Sequence, residues 1–104
     1  MQVLFDHEGR PIRLTDERLA HLAEHPEVAD VQGAIEATLA RPDSVVQSLS
    51  DDEVQLYYRL FHGTLFGDKF VGVVVKTTAD DVFVLTAYLT DKVKRGVVLW
   101  SQSW

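Results

Sequence analysis

Val54-Gln55-Leu56-Tyr57-Tyr58-Arg59-Leu60-Phe61 alternates in character with a period of two. Val54, Leu56, Tyr58 and Leu60 share one face, and Gln55, Tyr57, Arg59 and Phe61 share the other. Such alternation marks a strand with one buried face, and the more aliphatic set predicts Val54/Leu56/Tyr58/Leu60 as the core side. Lys69 to Thr77 is apolar on both faces and reads as a central strand. Val82 to Thr90 follows, with Phe83, Leu85, Ala87 and Leu89 toward the core and Val82, Val84, Thr86, Tyr88 and Thr90 opposite. Val45 to Leu49 precedes the set. Asp91 to Gly96 is a basic turn whose Lys92, Lys94 and Arg95 read as a solvated run, and Val97 to Trp100 adds an edge strand.

Upstream the period becomes helical. Thr15 can cap a helix whose first turn carries Asp16 and Glu17, and Leu19, Leu22 and Ala23 form its buried stripe up to Pro26. A second helix starts at about Glu27 or Asp30 and runs to Ala40, with Val31, Ala34, Ile35, Thr38 and Leu39 inward and Pro42 as its stop. Residues 1–14 form a hairpin or extended arm around Gly9 and Pro11. The expected fold class is α+β: two N-terminal helices packed on a four- to five-stranded antiparallel sheet. One domain spans 1–104, divided into the arm (1–14), the helices (15–40) and the sheet (44–100).

Composition narrows the chemistry. The 104 residues are 46% hydrophobic and 25% charged, ordinary values for a folded domain. With no cysteine, disulfides, thiolate metal sites and cysteine nucleophiles are excluded. The first nine residues lack the pattern of a secretory signal, and the longest apolar run, Val71 to Val75, is far short of a membrane span. A cytoplasmic protein without a membrane association is expected. The net charge of −6 weighs against nucleic-acid binding, which rests on a basic surface.

Two groups of residues could carry chemistry. His21 and His25 lie four apart on the first helix, with Arg18 one turn before His21. Imidazoles at this spacing suit general acid–base catalysis. His21-Leu22-Ala23-Glu24-His25 also matches the H-x-x-E-H pattern of inverted zinc peptidases. A catalytic zinc needs a third ligand and a cleft, and the helix breaks at Pro26, so no metal is expected. The second group is the sheet face opposite the core, where parity places Gln55, Tyr57, Arg59, Thr86, Tyr88 and Thr90, with either Lys69 or Lys76 from the central strand. Cations, hydroxyls and rings on one face suit phosphate holding and base stacking. Trp100 and Trp104 read as packing or dimer contacts.

Ile12-Arg13-Leu14-Thr15-Asp16-Glu17-Arg18, His21 and His25-Pro26-Glu27 are similar to the first helix of one family. Tyr57-Tyr58-Arg59, Gly67-Asp68-Lys69-Phe70-Val71, Leu85-Thr86-Ala87-Tyr88-Leu89-Thr90 and Gly96-Val97-Val98-Leu99-Trp100 are similar to its strands. Over roughly residues 10 to 100 the chain resembles the phage-associated branch of the barnase–EndoU–colicin–RelE nuclease superfamily. The resemblance implies two helices on a four-stranded antiparallel sheet and a metal-independent endoribonuclease, a toxin or phage-derived effector, that cleaves RNA by 2′-hydroxyl attack without a cofactor. Carried over by position, the catalytic candidates are His21 or His25, Arg59, Lys69, Thr86 and Tyr88, with Arg18, Tyr57 and Lys76 as substrate-binding candidates. The implied partners are RNA and an antitoxin or immunity protein, with a homodimer as a further expectation. The alternative is a non-catalytic protein-interaction domain on the same fold, which the acidity favours.

Overall fold

The computed structural model describes residues 1–23 and 30–102. In chain order the elements are β1 (Gln2–Phe5), β2 (Pro11–Leu14), α1 (Asp16–Ala23), α2 (Val31–Ala40), β3 (Ser44–Ser48), β4 (Val54–Thr64), β5 (Gly67–Thr77), β6 (Val82–Thr90) and β7 (Gly96–Ser101). The helices begin where their capping residues stand. The Thr15 hydroxyl accepts the Arg18 N–H at 3.1 Å, and the Asp30 carboxylate accepts the Gly33 N–H at 2.9 Å. No helix among the described residues is long and apolar enough to cross a membrane.

The sheet departs from the expected fold. It holds seven strands in the order β1-β2-β6-β5-β4-β3-β7, and it is mixed rather than antiparallel, because β2 pairs with β6 in parallel through Arg13 and Phe83. The helices are therefore preceded by a strand pair that belongs to the sheet. Leu4, Ile12 and Leu14 carry the hairpin there, since all three are buried in the core with Leu22, Ile35, Leu39 and Val73. An arm that left those side chains in water would forgo burial of roughly 1.5–3 kcal/mol each.

Both faces of the sheet are covered. α2 packs on β5, β4 and β1, and α1 packs on β6. The opposite face carries a smaller cluster of Val46, Leu56 and Tyr58, with Phe70 and Val74 against it. Its cover is the β6–β7 connection. β7 lies beyond β3, so residues 91–95 must pass β5, β4 and β3. The connection is a strap, and Lys94 fastens it by donating its N–H to the Tyr58 hydroxyl at 3.2 Å. The basic run Lys92, Lys94 and Arg95 lies on this strap.

The faces themselves are exchanged relative to expectation. Tyr57, expected outward, is 1% exposed in the main core, while Leu56 and Tyr58 lie in the second cluster. In β6 an extra residue shifts the register, since Val74 faces Thr86 but Val75 faces Val84, leaving Leu85 as the bulge. Val84, Ala87 and Leu89 consequently belong to the main core, and Phe83 and Leu85 do not.

Tyr57 can be buried because its hydroxyl is satisfied. It donates to Asp6 Oδ2 at 2.8 Å and accepts from Arg10 Nη2 at 2.6 Å. Asp6 Oδ1 also accepts the N–H groups of Glu8 and Arg10, at 3.0 and 2.8 Å. Arg10 reaches Gln55 at 2.6 Å and Thr77 at 3.3 Å, while its Nε stands 3.4 Å from Asp6 Oδ2, near enough for ion pairing without an aligned hydrogen bond. His7, next in the turn, lies against Trp100 of β7 with ring centroids 4.6 Å apart.

Burial pushes the Asp6 carboxyl up, but the Tyr57 hydroxyl, the two backbone N–H groups and Arg10 outweigh it and hold the group below its ordinary value. A depressed carboxyl stabilises the fold above its unfolded pKa of about 3.9, and that contribution is lost as pH falls through the folded value. Tyr57→Phe removes one bond to the carboxylate and is expected to cost about 1–3 kcal/mol in urea unfolding at neutral pH. The gap from wild type should narrow below about pH 3.9 as Asp6 protonates.

Candidate functional site

A groove of about 530 Å³ opens along the outer edge of β6, lined by His21 and Leu22 from α1, Phe66 from the β4–β5 turn, Lys69 from the start of β5, and Thr86 to Asp91. Among the described residues, the pairing of β2 with β6 is the single register position Arg13–Phe83, so the edge beyond it has no strand partner. Residues of both sheet faces meet there: Thr86, Tyr88 and Thr90 from one side of β6, Ala87 and Leu89 from the other. A second groove of about 620 Å³ lies at the Phe83 end of β6, lined by Arg13, Thr15, Glu17, Arg18 and His21. His21 lines both, so the two grooves adjoin at α1.

The edge chemistry is specific. Lys69 sits 24% exposed with its ammonium on the carboxylate of Asp91. Asp91 itself is largely exposed, so the pair is of the weakly stabilising surface kind. Tyr88 shares a hydrogen bond with Tyr58, hydroxyl to hydroxyl at 3.0 Å. Burial, then that bond, raise the Tyr88 phenol well above its ordinary value, so it is a hydrogen-bonding hydroxyl at physiological pH. The two rings flank Gly72, where a Cβ would approach Tyr88 Cζ at 3.0 Å and Tyr58 Cε1 at 3.1 Å. A larger residue there would have to displace a ring.

Of the expected site residues, His21, Lys69, Thr86 and Tyr88 come together in the groove, and Arg18 joins them through the adjoining one. His25 lies outside the described residues. Arg59 does not join them. It sits in the cross-strand row of Val71 and Leu89, on the helix-covered face opposite Thr86 and Tyr88, and its Nη1 donates to the Arg41 carbonyl at 2.6 Å, where α2 ends. Tyr57 is withdrawn from any substrate by burial. Lys76 is taken up by the β3–β4 turn, 2.9 Å from Asp51 and 3.5 Å from Glu53, and the Asp51 bond raises its pKa above the ordinary value.

Phe66 and Asp91 were not singled out from sequence, and Thr90, grouped with the sheet face by parity, lines the groove as well. Phe66 had a signal: Leu65-Phe66 is an apolar pair between Gly63 and Gly67, where turn chemistry ordinarily places polar residues. Among the described residues, no group of three His, Asp or Glu side chains is placed to hold a metal.

Against known families, curated proteins and solved structures, the chain matches none. Arg59→Ala removes a cation from a helix C-terminus and is expected to lower stability by about 0.5–1 kcal/mol in denaturant unfolding. The groove's chemistry should be unaltered, so activity or ligand binding measured below the melting range should stay at the wild-type level.

Proposed function

We propose that the chain is a metal-independent endoribonuclease-like domain that cleaves RNA at the β6-edge groove. The reading is supported chiefly by one observation: His21, Lys69, Thr86 and Tyr88 line one open groove, with a second, carrying Arg13 and Arg18, adjoining it at His21. Arg13, Arg18 and Lys69 bring cations to the two grooves; Arg13 is paired with Asp81 at 2.6 Å and Lys69 with Asp91, so a bound phosphate would take the place of a carboxylate.

The chemistry runs by transesterification. An RNA 2′-oxygen attacks the adjacent phosphorus, its proton passing to the His21 imidazole. A 2′-O–P bond forms, the P–O5′ bond breaks, and the imidazolium returns the proton to the 5′-oxygen, leaving a 2′,3′-cyclic phosphate. Lys69 exchanges Asp91 for the doubly charged phosphorane, and Tyr88 and Thr86 offer hydroxyl hydrogen bonds to its oxygens. Proton transfer by a positioned side chain contributes typically about 10²–10⁴-fold.

A second reading, a protein-interaction domain, draws on the unpaired β6 edge, which an extended peptide could lengthen by strand addition. One assay separates the two: purified protein on mixed single-stranded RNA in EDTA. Wild type is expected to yield cyclic-phosphate ends. Lys69→Ala should lower kcat/KM about 10²-fold, by analogy with loss of a charge-stabilising donor, and His21→Ala by at least about 10²-fold. Intact RNA at high wild-type concentration would favour the interaction domain.

A further inference from the structure

We propose that Phe66 stacks an unpaired nucleobase, making single-stranded RNA the substrate class of the groove; the inference rests on the ribonuclease reading above. β4 ends at Thr64 and β5 starts at Gly67, which leaves Leu65 and Phe66 as a two-residue hairpin tip, 74% and 61% exposed. Exposed large apolar side chains side by side at a turn mark contact surfaces.

The tip is locally fixed. Gly63 and Gly67 adopt φ of +69° and +88°, the left-handed region that glycine enters without a steric cost. The Asp68 carboxylate accepts the Gly63 N–H at 3.0 Å and lies 3.1 Å from His62 Nδ1. Thr64 Oγ1 donates to the Gly67 carbonyl at 2.5 Å and accepts the Phe66 N–H at 3.2 Å. Phe66 is thus presented on a braced turn.

Its surroundings select the occupant. Phe66 lines the same groove as Lys69, His21 and the hydroxyls of Thr86, Tyr88 and Thr90. A phosphate seated between Lys69 and His21 carries its nucleoside to the groove wall, where a ring offers a face that any base can stack on. Bases inside a duplex are already stacked on one another, so the contact requires an unpaired strand.

The test uses a fluorescein-labelled 2′-O-methyl oligouridine, which lacks the attacking hydroxyl and resists cleavage, as a single strand and annealed to its complement. Anisotropy in EDTA at low salt gives Kd for wild type, Phe66→Ala and Phe66→Tyr. Because Phe66 is exposed, both variants should melt with wild type. Phe66→Ala is expected to raise Kd about tenfold and Phe66→Tyr to restore it, within the range that alanine substitution of a stacking aromatic produces. The duplex should bind about tenfold more weakly than the single strand.

Equal Kd for wild type and Phe66→Ala, or duplex binding as tight as single strand, would overturn the proposal. So would no binding by wild type, which would assign the apolar tip to a protein partner. Cleavage of unmodified RNA is followed in parallel. A protein that holds single strands through Phe66 yet leaves them intact keeps the stacking role and defeats the ribonuclease reading. Cleavage with a Phe66-independent Kd does the reverse.

Discussion

A carboxylate–phenol–guanidinium cluster holds the two ends of the sheet together. Asp6 and Arg10 belong to the turn between the first two strands, and Tyr57 to a strand near the far end of the order. Through Gln55, Thr77 and the His7–Trp100 contact, the same turn touches β4, β5 and β7. Hydrogen bonds involving ionised groups contribute about 1.5–3 kcal/mol, and their geometry is directional where apolar packing is not. The cluster therefore does what the surrounding valines and leucines alone could not: it sets how far the hairpin closes over the helix-side core.

That closure, with the strap on the opposite side, decides where exposed chemistry can sit. The helices occupy one face, and residues 91–95 cross the other. What stays accessible is the rim, above all the flank of β6 beyond Phe83, where side chains of both faces reach one groove. A site on a strand edge has free backbone groups as well as side chains, and it borders α1, whose Arg18 and His21 are exposed.

Much of this was legible in the chain. Thr15, Asp30 and Pro42 mark helix boundaries by mechanisms that act within a turn, and each strand of the central sheet has its own alternation or apolar run. The facing of β4 was not, because both of its faces are covered and a tyrosine can lie inside or outside according to what meets its hydroxyl. Asp6, some fifty residues away in sequence, decides that for Tyr57. One extra residue at Leu85 exchanged the faces along part of β6. Which of the candidate residues share a groove has a physical reason: His21, Lys69, Thr86 and Tyr88 lie at an edge, where facing matters less, whereas Arg59 lies inside the sheet, where facing assigned it to the end of α2.

The strand order also constrains how the chain assembles in time. β4, β5 and β6 are neighbours in sequence and in space, joined by short turns, and can zip together from local contacts. The two outer pairings are remote: Arg13 meets Phe83, and Ser44 meets Ser101. Closing such long loops costs entropy before any contact compensates it, which slows the formation of these two pairings. Assembly should start from the β4–β6 meander and end with the N-terminal hairpin and β7. Pulsed hydrogen exchange during refolding would register this as amide protection arising first at the centre of the sheet and last at its margins.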